Sequence, residues 1–138
     1  MNTHRVESVQ IAAPSDKVFE YIADPAKLPE WTHAFKSVNK ENALMNTPSG
    51  CVEVGLVVEA SKANGTVDWH MTFPDGTVAS AYSRVVRGPD GHAIYSFVLL
   101  PPPLALEQLE GTFDRQVVTL REELKKLSEI LANNGRKA

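Results

Sequence analysis

Residues 104–131, LALEQLEGTFDRQVVTLREELKKLSEIL, decide how the rest of the chain must be built. The apolar residues Leu106, Leu109, Phe113, Val117, Leu120, Leu124, Leu127 and Leu131 recur in steps of three and four. Such steps place their side chains on one stripe of an amphipathic helix. At about 1.5 Å per residue the helix would run roughly 40 Å, the width of a small domain. A helix of that length cannot cover its own stripe, so the upstream chain has to supply a surface that holds it. Gly111 interrupts an otherwise good helix, and a helical glycine costs about 1 kcal/mol relative to alanine. Leu109, Thr112, Phe113 and Gln116 lie beside it in sequence. Residues 120–131 therefore read as packing, and the earlier half as the wall and lid of a cavity.

Working outward, the preceding Pro101-Pro102-Pro103 suits neither a strand ladder nor a helix interior and acts as a rigid connector. Upstream of it the chain reads mostly as strands. Residues 4–12 alternate around Val9 and Ile11 up to Pro14. Ser15 stands where an N-cap belongs, with Asp16 in the first turn of a short helix that buries Val18, Phe19 and Ile22. Asp24-Pro25 ends that helix, and a brief second turn leads through Pro29 to Trp31. A weakly patterned strand follows over 34–40. Clearer strands cover 52–58, 66–73, 78–87 and 92–100, separated by Thr47-Pro48-Ser49-Gly50, the loop 60–65, Pro74-Asp75-Gly76 and Gly88-Pro89-Asp90-Gly91. The predicted order is β, α, short α, five antiparallel strands and one long α. Short turns between the strands imply a meander.

Composition fits this outline. A chain of 138 residues suits one domain spanning 1–138, large enough to bury about two-thirds of its unfolded surface. The net charge of −3 argues against an electrostatic grip on nucleic acid or an anionic membrane. Cys51 is the single cysteine, which excludes an internal disulfide and any C-x-x-C site. No run approaches a membrane span and no signal peptide is recognisable. The expectation is a soluble cytoplasmic protein without integral membrane association.

Turn chemistry gives a first estimate of which side chains share the inner face. A two-residue turn at Asp75-Gly76 would set Met71 opposite Ser80, Trp69 opposite Tyr82 and Val67 opposite Arg84. A four-residue turn at 88–91 would set Arg84 opposite Tyr95 and Tyr82 opposite Phe97. Val52, Val54, Leu56 and Val58 join the same side. On this reading Ser80, Tyr82, Arg84 and Tyr95 lie among large apolar groups, while Asp68, His70, Ala79, Ala81 and Ser83 face solvent. A one-residue bulge would reverse part of the assignment.

The opening VQIAAPSDKVFEYIADPAKLPEW resembles the start of START-related (SRPBCC) helix-grip proteins, which open with a strand, Ala-Pro, an amphipathic helix, Asp-Pro and a tryptophan. The polyketide cyclase/dehydrase and lipid transport group looks closest. Ala13-Pro14, Val18, Trp31, Ser83-Arg84-Val85-Val86 and the leucine-striped helix carry the likeness over nearly the whole chain. The resemblance implies an α+β, START-like fold, with a curved antiparallel sheet gripping the C-terminal helix and a hydrophobic ligand cavity between them. In related aromatase/cyclases, Arg, Tyr and Trp residues orient a polyketone chain; Arg84, Tyr82, Tyr95 and Trp69 are similar types here.

Three functions are consistent with these residues. The leading one is cofactor-free binding of a small hydrophobic or aromatic molecule, lipids included. Its expected contacts are Trp31, His33, Leu56, Trp69, Met71, Ser80, Tyr82, Arg84, Tyr95, Phe97, Leu109, Phe113 and Gln116. The second is a cyclase, aromatase or dehydratase in which Arg84, Tyr82 or Tyr95 polarises or protonates a carbonyl. The third is a non-catalytic protein-interaction module, and a homodimer is left open. Arg84 reads equally well as a snorkelling margin residue, and the tyrosines as amphipathic wall groups. Asp68 and His70 share a strand face, but no third metal ligand lies near in sequence, so no metal site is expected. A Ser-His-Asp set and a phosphate-binding loop are not recognisable.

Overall fold

The computed structural model describes residues 3–33, 35–39, 42–47, 50–101 and 112–136. Residues 102–111, which include Leu109 and Gly111, lie outside the described residues. Strand β1 (Arg5–Pro14) leads into α1 (Ser15–Ala23), a single 3₁₀ turn (Pro25–Lys27) and α2 (Leu28–Trp31). Strands β2 (Phe35–Val38), β3 (Asn42–Thr47), β4 (Gly50–Ser61), β5 (Thr66–Thr72), β6 (Val78–Arg87) and β7 (His92–Leu99) follow, and α3 (Phe113–Arg136) closes the chain. The sheet is antiparallel throughout, in the order β1-β7-β6-β5-β4-β3-β2. The expected meander is there, and β1 returns to pair with β7. The curled sheet and long helix make the helix-grip fold.

One strand escaped the sequence reading. Residues 34–40 shorten to β2, and Asn42–Thr47 forms β3 between β2 and β4. Asn42, Asn46 and Thr47 flank the apolar run Ala43-Leu44-Met45, of which Ala43 and Met45 are buried. Three consecutive apolar residues show no period-2 alternation. At the first helix the expected cap shifts by one residue. Pro14 is the N-cap and Ser15 already belongs to α1, with Asp16 in the first turn. Asp24 ends α1 as expected, and its Oδ1 accepts the Ala26 N–H at 3.0 Å.

The larger correction concerns β6. Both flanking turns have the sequence x-Pro-Asp-Gly-x and the same hydrogen bonds. Phe73 N–H donates to Thr77 O at 2.9 Å and Gly88 N–H to His92 O at 2.7 Å. Gly76 N–H donates to Phe73 O and Gly91 N–H to Gly88 O, while Asp75 and Asp90 Oδ1 accept Thr77 N–H and His92 N–H. The glycines sit at φ +86° and +85°. These are three-residue hairpin loops, a type I turn closed by a left-handed glycine. Proline occupies the corner for which its fixed φ suits it.

The loop at 74–76 is therefore one residue longer than the two-residue turn expected, and Met71 faces Ala79, Trp69 faces Ala81 and Val67 faces Ser83. A one-residue slip turns a strand over. Ala79, Ser83 and Val85 are buried with Trp69, whereas Ser80, Tyr82 and Arg84 project from the other side. The second turn pairs Val85 with Tyr95 and Ser83 with Phe97. Its slip cancels the first, so Tyr95 and Phe97 point inward as expected.

The core lies between this inner face and α3. Leu120, Leu124, Leu127 and Leu131 are all buried, each contributing about 1.5–3 kcal/mol from water-excluded apolar area. Helix α3 packs chiefly along β1, and Arg121 pairs with Glu7 across that seam. This leaves the other end of the sheet, β4 to β6, less closely covered by α3.

Candidate functional site

A cavity of about 350 Å³ opens where α3 leaves the sheet uncovered. The sheet supplies an apolar floor: Leu56 from β4, Trp69 and Met71 from β5, Ala79 and Ala81 from β6, Phe97 and Leu99 from β7. Leu28, Trp31 and Thr32 of the α2 segment and Phe35 of β2 close one side. The small residues are part of the construction. Ala81 pairs with Trp69 across the strands, so an indole lies beside a methyl group and the space above is left unfilled.

A further wall is α3, through Gln116, Thr119, Leu120 and Glu123. These positions are spaced three, one and three apart, hence on one helical face. Three of the four are polar, although this face looks into the protein. Gln116 is buried, and Glu123 is partly buried and accepts the main-chain N–H of His33 on Oε2 at 2.7 Å. That bond ties the end of α2 to α3 at the margin of the cavity. Tyr21 Oη donates to Glu30 Oε1 at 2.8 Å, joining α1 to the same segment and helping to hold Trp31 in place.

Three of these lining residues belong to an aromatic cluster. Trp31 meets Trp69 at 6.4 Å and Tyr95 edge-on at 6.5 Å, and Trp69 stacks on Phe97 at 5.7 Å. Offset and edge-on pairs are the favoured aromatic arrangements. The Trp31 and Trp69 Nε1 atoms and the Tyr95 hydroxyl are buried without a hydrogen-bond partner among the described residues. Burial holds the Tyr95 phenol far above its ordinary range; Ser83 lies close enough to offset part of that shift, and Glu123 adds to it. No hydrogen bond of good geometry joins Tyr95 to Ser83, whose Oγ donates instead to Val67 O at 2.6 Å.

Of the residues expected to meet a ligand, Trp31, Leu56, Trp69, Met71, Phe97 and Gln116 line the cavity. Ser80 and Tyr82 also border it, although the register turns their side chains outward. Ser80 Oγ lies 2.7 Å from His70 Nδ1, and the Tyr82 ring meets His70 edge-on at 6.1 Å. Arg84 is exposed on the same outer face, where its Nε donates to Asn64 O at 3.2 Å. Its placement among apolar groups was an error of register. Tyr95 is fully buried on the same inner face, His33 is exposed, and Phe113, at the start of α3, is half-buried; none of the three lines the cavity. Leu109 lies outside the described residues.

Thr32, Thr119 and Glu123 went unrecognised in the sequence. Their signal is faint, since a polar residue beside an apolar helical stripe ordinarily faces water. The 3.6-residue period does place Thr119 and Glu123 on the face of Gln116. On the outer face, Asp68 and His70 do share one side of β5, and His70 Nε2 lies 3.8 Å from Glu59. The cavity is on the opposite side of the sheet. Among the described residues no cluster of His, Cys, Asp and Glu has the makings of a metal site, and no helix is long and apolar enough to cross a membrane.

Comparison with known proteins agrees with this architecture. The family described as "Polyketide cyclase / dehydrase and lipid transport" matches residues 3–127. Among solved structures, a START superfamily protein from Mycobacterium smegmatis is 12% identical with a TM-score of 0.63, over 96% of this chain and 99% of its own. Protein CV1439 from Chromobacterium violaceum is 14% identical with a TM-score of 0.68, over 95% and 99%. XoxI from Bacillus cereus is 12% identical with a TM-score of 0.65, over 94% and 96%. Identities this low speak to the fold alone. No curated protein matches the chain.

Proposed function

The chain belongs to the polyketide cyclase/dehydrase and lipid transport family, and we propose that it binds a small amphipathic hydrophobic molecule between the sheet and α3. The observation that carries this reading is the polar strip Gln116, Thr119 and Glu123, turned inward to face an apolar floor. A helix buried only for packing would present its leucine stripe there, whereas here polar side chains border open space beside an apolar floor. An apolar wall opposite a few polar groups is the usual composition of a small-molecule site, and about 350 Å³ falls at the lower end of the usual size range. The apolar body of the ligand lies on Trp69, Met71, Ala81 and Phe97, with its polar atoms toward α3.

The test uses prodan, an uncharged naphthyl ketone whose emission shifts to the blue in apolar surroundings. Wild-type protein shifts the emission saturably at one site per chain. Ala81→Leu, which grows a side chain into the cavity, weakens that binding about tenfold or more. Arg84→Ala, on the outer face, leaves it unchanged. Equal affinities for wild type and Ala81→Leu would place the dye elsewhere and remove the support for this reading.

A further inference from the structure

We infer that the outer face of the sheet carries a second site, a serine–histidine pair that hydrolyses aryl esters of small acids, with Ser80 as nucleophile and His70 as general base. Its side chains come from three strands and are brought together only by the sheet. His70 of β5 and Ser80 of β6 are cross-strand partners, and Ser80 Oγ lies 2.7 Å from His70 Nδ1. Glu59 of β4 stands at the other ring nitrogen, 3.8 Å from Nε2. That separation is too long for a hydrogen bond but short enough for charge to act. The Tyr82 ring meets the imidazole edge-on at 6.1 Å, and the His70 side chain is 26% exposed, so the base is held by its neighbours. Three exposed apolar side chains surround the pair. Val57 is the cross-strand partner of His70 on β4, and Val78 and Tyr82 flank Ser80 two residues away on either side. Apolar groups left in water around polar ones mark a place where a ligand can settle, here one with a flat apolar body.

A hydroxyl within hydrogen-bond reach of an imidazole is the starting geometry for nucleophilic catalysis. With Nδ1 accepting the Ser80 hydroxyl, the ring proton lies on Nε2, toward the Glu59 carboxylate, which stabilises the positive charge that develops in the transition state. Ser80 Oγ bonds to the ester carbonyl carbon as its proton passes to Nδ1. The bond from that carbon to the aryl oxygen breaks, and the phenolate leaves and takes up the proton. Water then attacks the acyl group and gives a proton to Nδ1, and Ser80 Oγ departs with it. Ester and water become acid and phenol. The substrate class follows from the sheet. Main-chain N–H groups lie in the plane of a sheet rather than out of its face, so a flat face offers no main-chain oxyanion hole. One such donor is worth about 10²–10³ in kcat. Amides and alkyl esters need that help, whereas a phenolate is a good enough leaving group without it.

The experiment follows release of p-nitrophenolate from p-nitrophenyl acetate by the full chain, against buffer. Wild type turns over many equivalents per chain and, quenched early, carries an acetyl group that peptide mapping places on Ser80. Ser80→Ala and His70→Gln each lower the rate above buffer by about tenfold or more. The exposed His4, His33 and His92 give a background common to all variants. Glu59→Gln lowers kcat about two- to fivefold at unchanged KM. The amide counterpart, p-nitroacetanilide, stays intact. Circular dichroism checks that each variant is folded. A wild-type rate equal to buffer, full turnover in folded Ser80→Ala, or an acetyl group that remains on Ser80 without hydrolysis would each overturn the inference, and cleavage of the anilide at a comparable rate would overturn the substrate class. Prodan enters none of these measurements, so this site stands or falls apart from the cavity.

Discussion

Ala81→Leu tests whether the space above Trp69 is a cavity in the folded, ligand-free protein. Ala81 lies on the inner face of β6, paired with Trp69, and borders the cavity. In a packed core, adding three carbons forces neighbours off their rotamers and costs about 1–3 kcal/mol. Here the new side chain enters open space. Burying three methylene-sized groups contributes about 2.4 kcal/mol at roughly 0.8 kcal/mol each. Fixing the leucine rotamer takes back about 0.5–1 kcal/mol, leaving a gain of about 1.5–2 kcal/mol. With a urea slope of about 1–3 kcal/mol/M, the unfolding midpoint rises by about 1 M. The measurement is urea unfolding followed by far-ultraviolet circular dichroism, on protein unfolded and refolded to strip bound molecules. Stripping matters because a retained ligand would stabilise wild type by mass action and mask the gain. A midpoint that falls by the equivalent of about 1 kcal/mol or more, with an unchanged slope, would show that protein atoms already fill the space.

Two further outcomes probe the frame around the site. Leu127 is fully buried between α3 and the sheet, so Leu127→Ala lowers stability by about 2–5 kcal/mol in the same urea assay; a loss below about 1 kcal/mol would mean that α3 does not anchor the core. Stability falls as pH rises above about 10, because the unfolded Tyr95 phenol ionises there while burial keeps the folded one protonated. Tyr95→Phe makes the decline between about pH 9 and 11 shallower, and an unaltered decline in urea midpoint would contradict that assignment.

How much of this was written in the sequence depends on which physical signal each residue carries. The heptad-like steps from Val117 to Leu131 specify a helix packed along one stripe, and the alternation at Val52, Val54, Leu56 and Val58 gives both a strand and its inner face. The Pro-Asp-Gly turns were equally legible. Proline prefers the first corner of a type I turn, and the glycine then closes a three-residue loop, but the Asp-Gly pair alone suggested a two-residue turn. The resulting slip of β6 was hard to notice because residue sizes there run against habit. Tyr82 resembles a core residue and faces out; Ala79 and Ala81 resemble surface residues and face in, where a neighbouring indole and a cavity require small side chains.

Thr119 and Glu123 illustrate a different limit. Periodicity puts them on the face of Gln116, yet it cannot say whether that face meets water or the interior. Only the lateral placement of α3, packed along β1 and away from β4 to β6, turns the strip inward. That placement depends on long-range packing, which no local pattern encodes. Asn42–Thr47 was missed for a simpler reason, since its apolar run Ala43-Leu44-Met45 shows no period-2 alternation.

Native mass spectrometry of the freshly purified protein reaches the central claim most directly. A cavity that binds a small hydrophobic molecule predicts a wild-type species heavier than the bare chain by one such molecule, and the bare mass for Ala81→Leu prepared in parallel. An identical adduct on wild type and Ala81→Leu would contradict the cavity as the place where it binds.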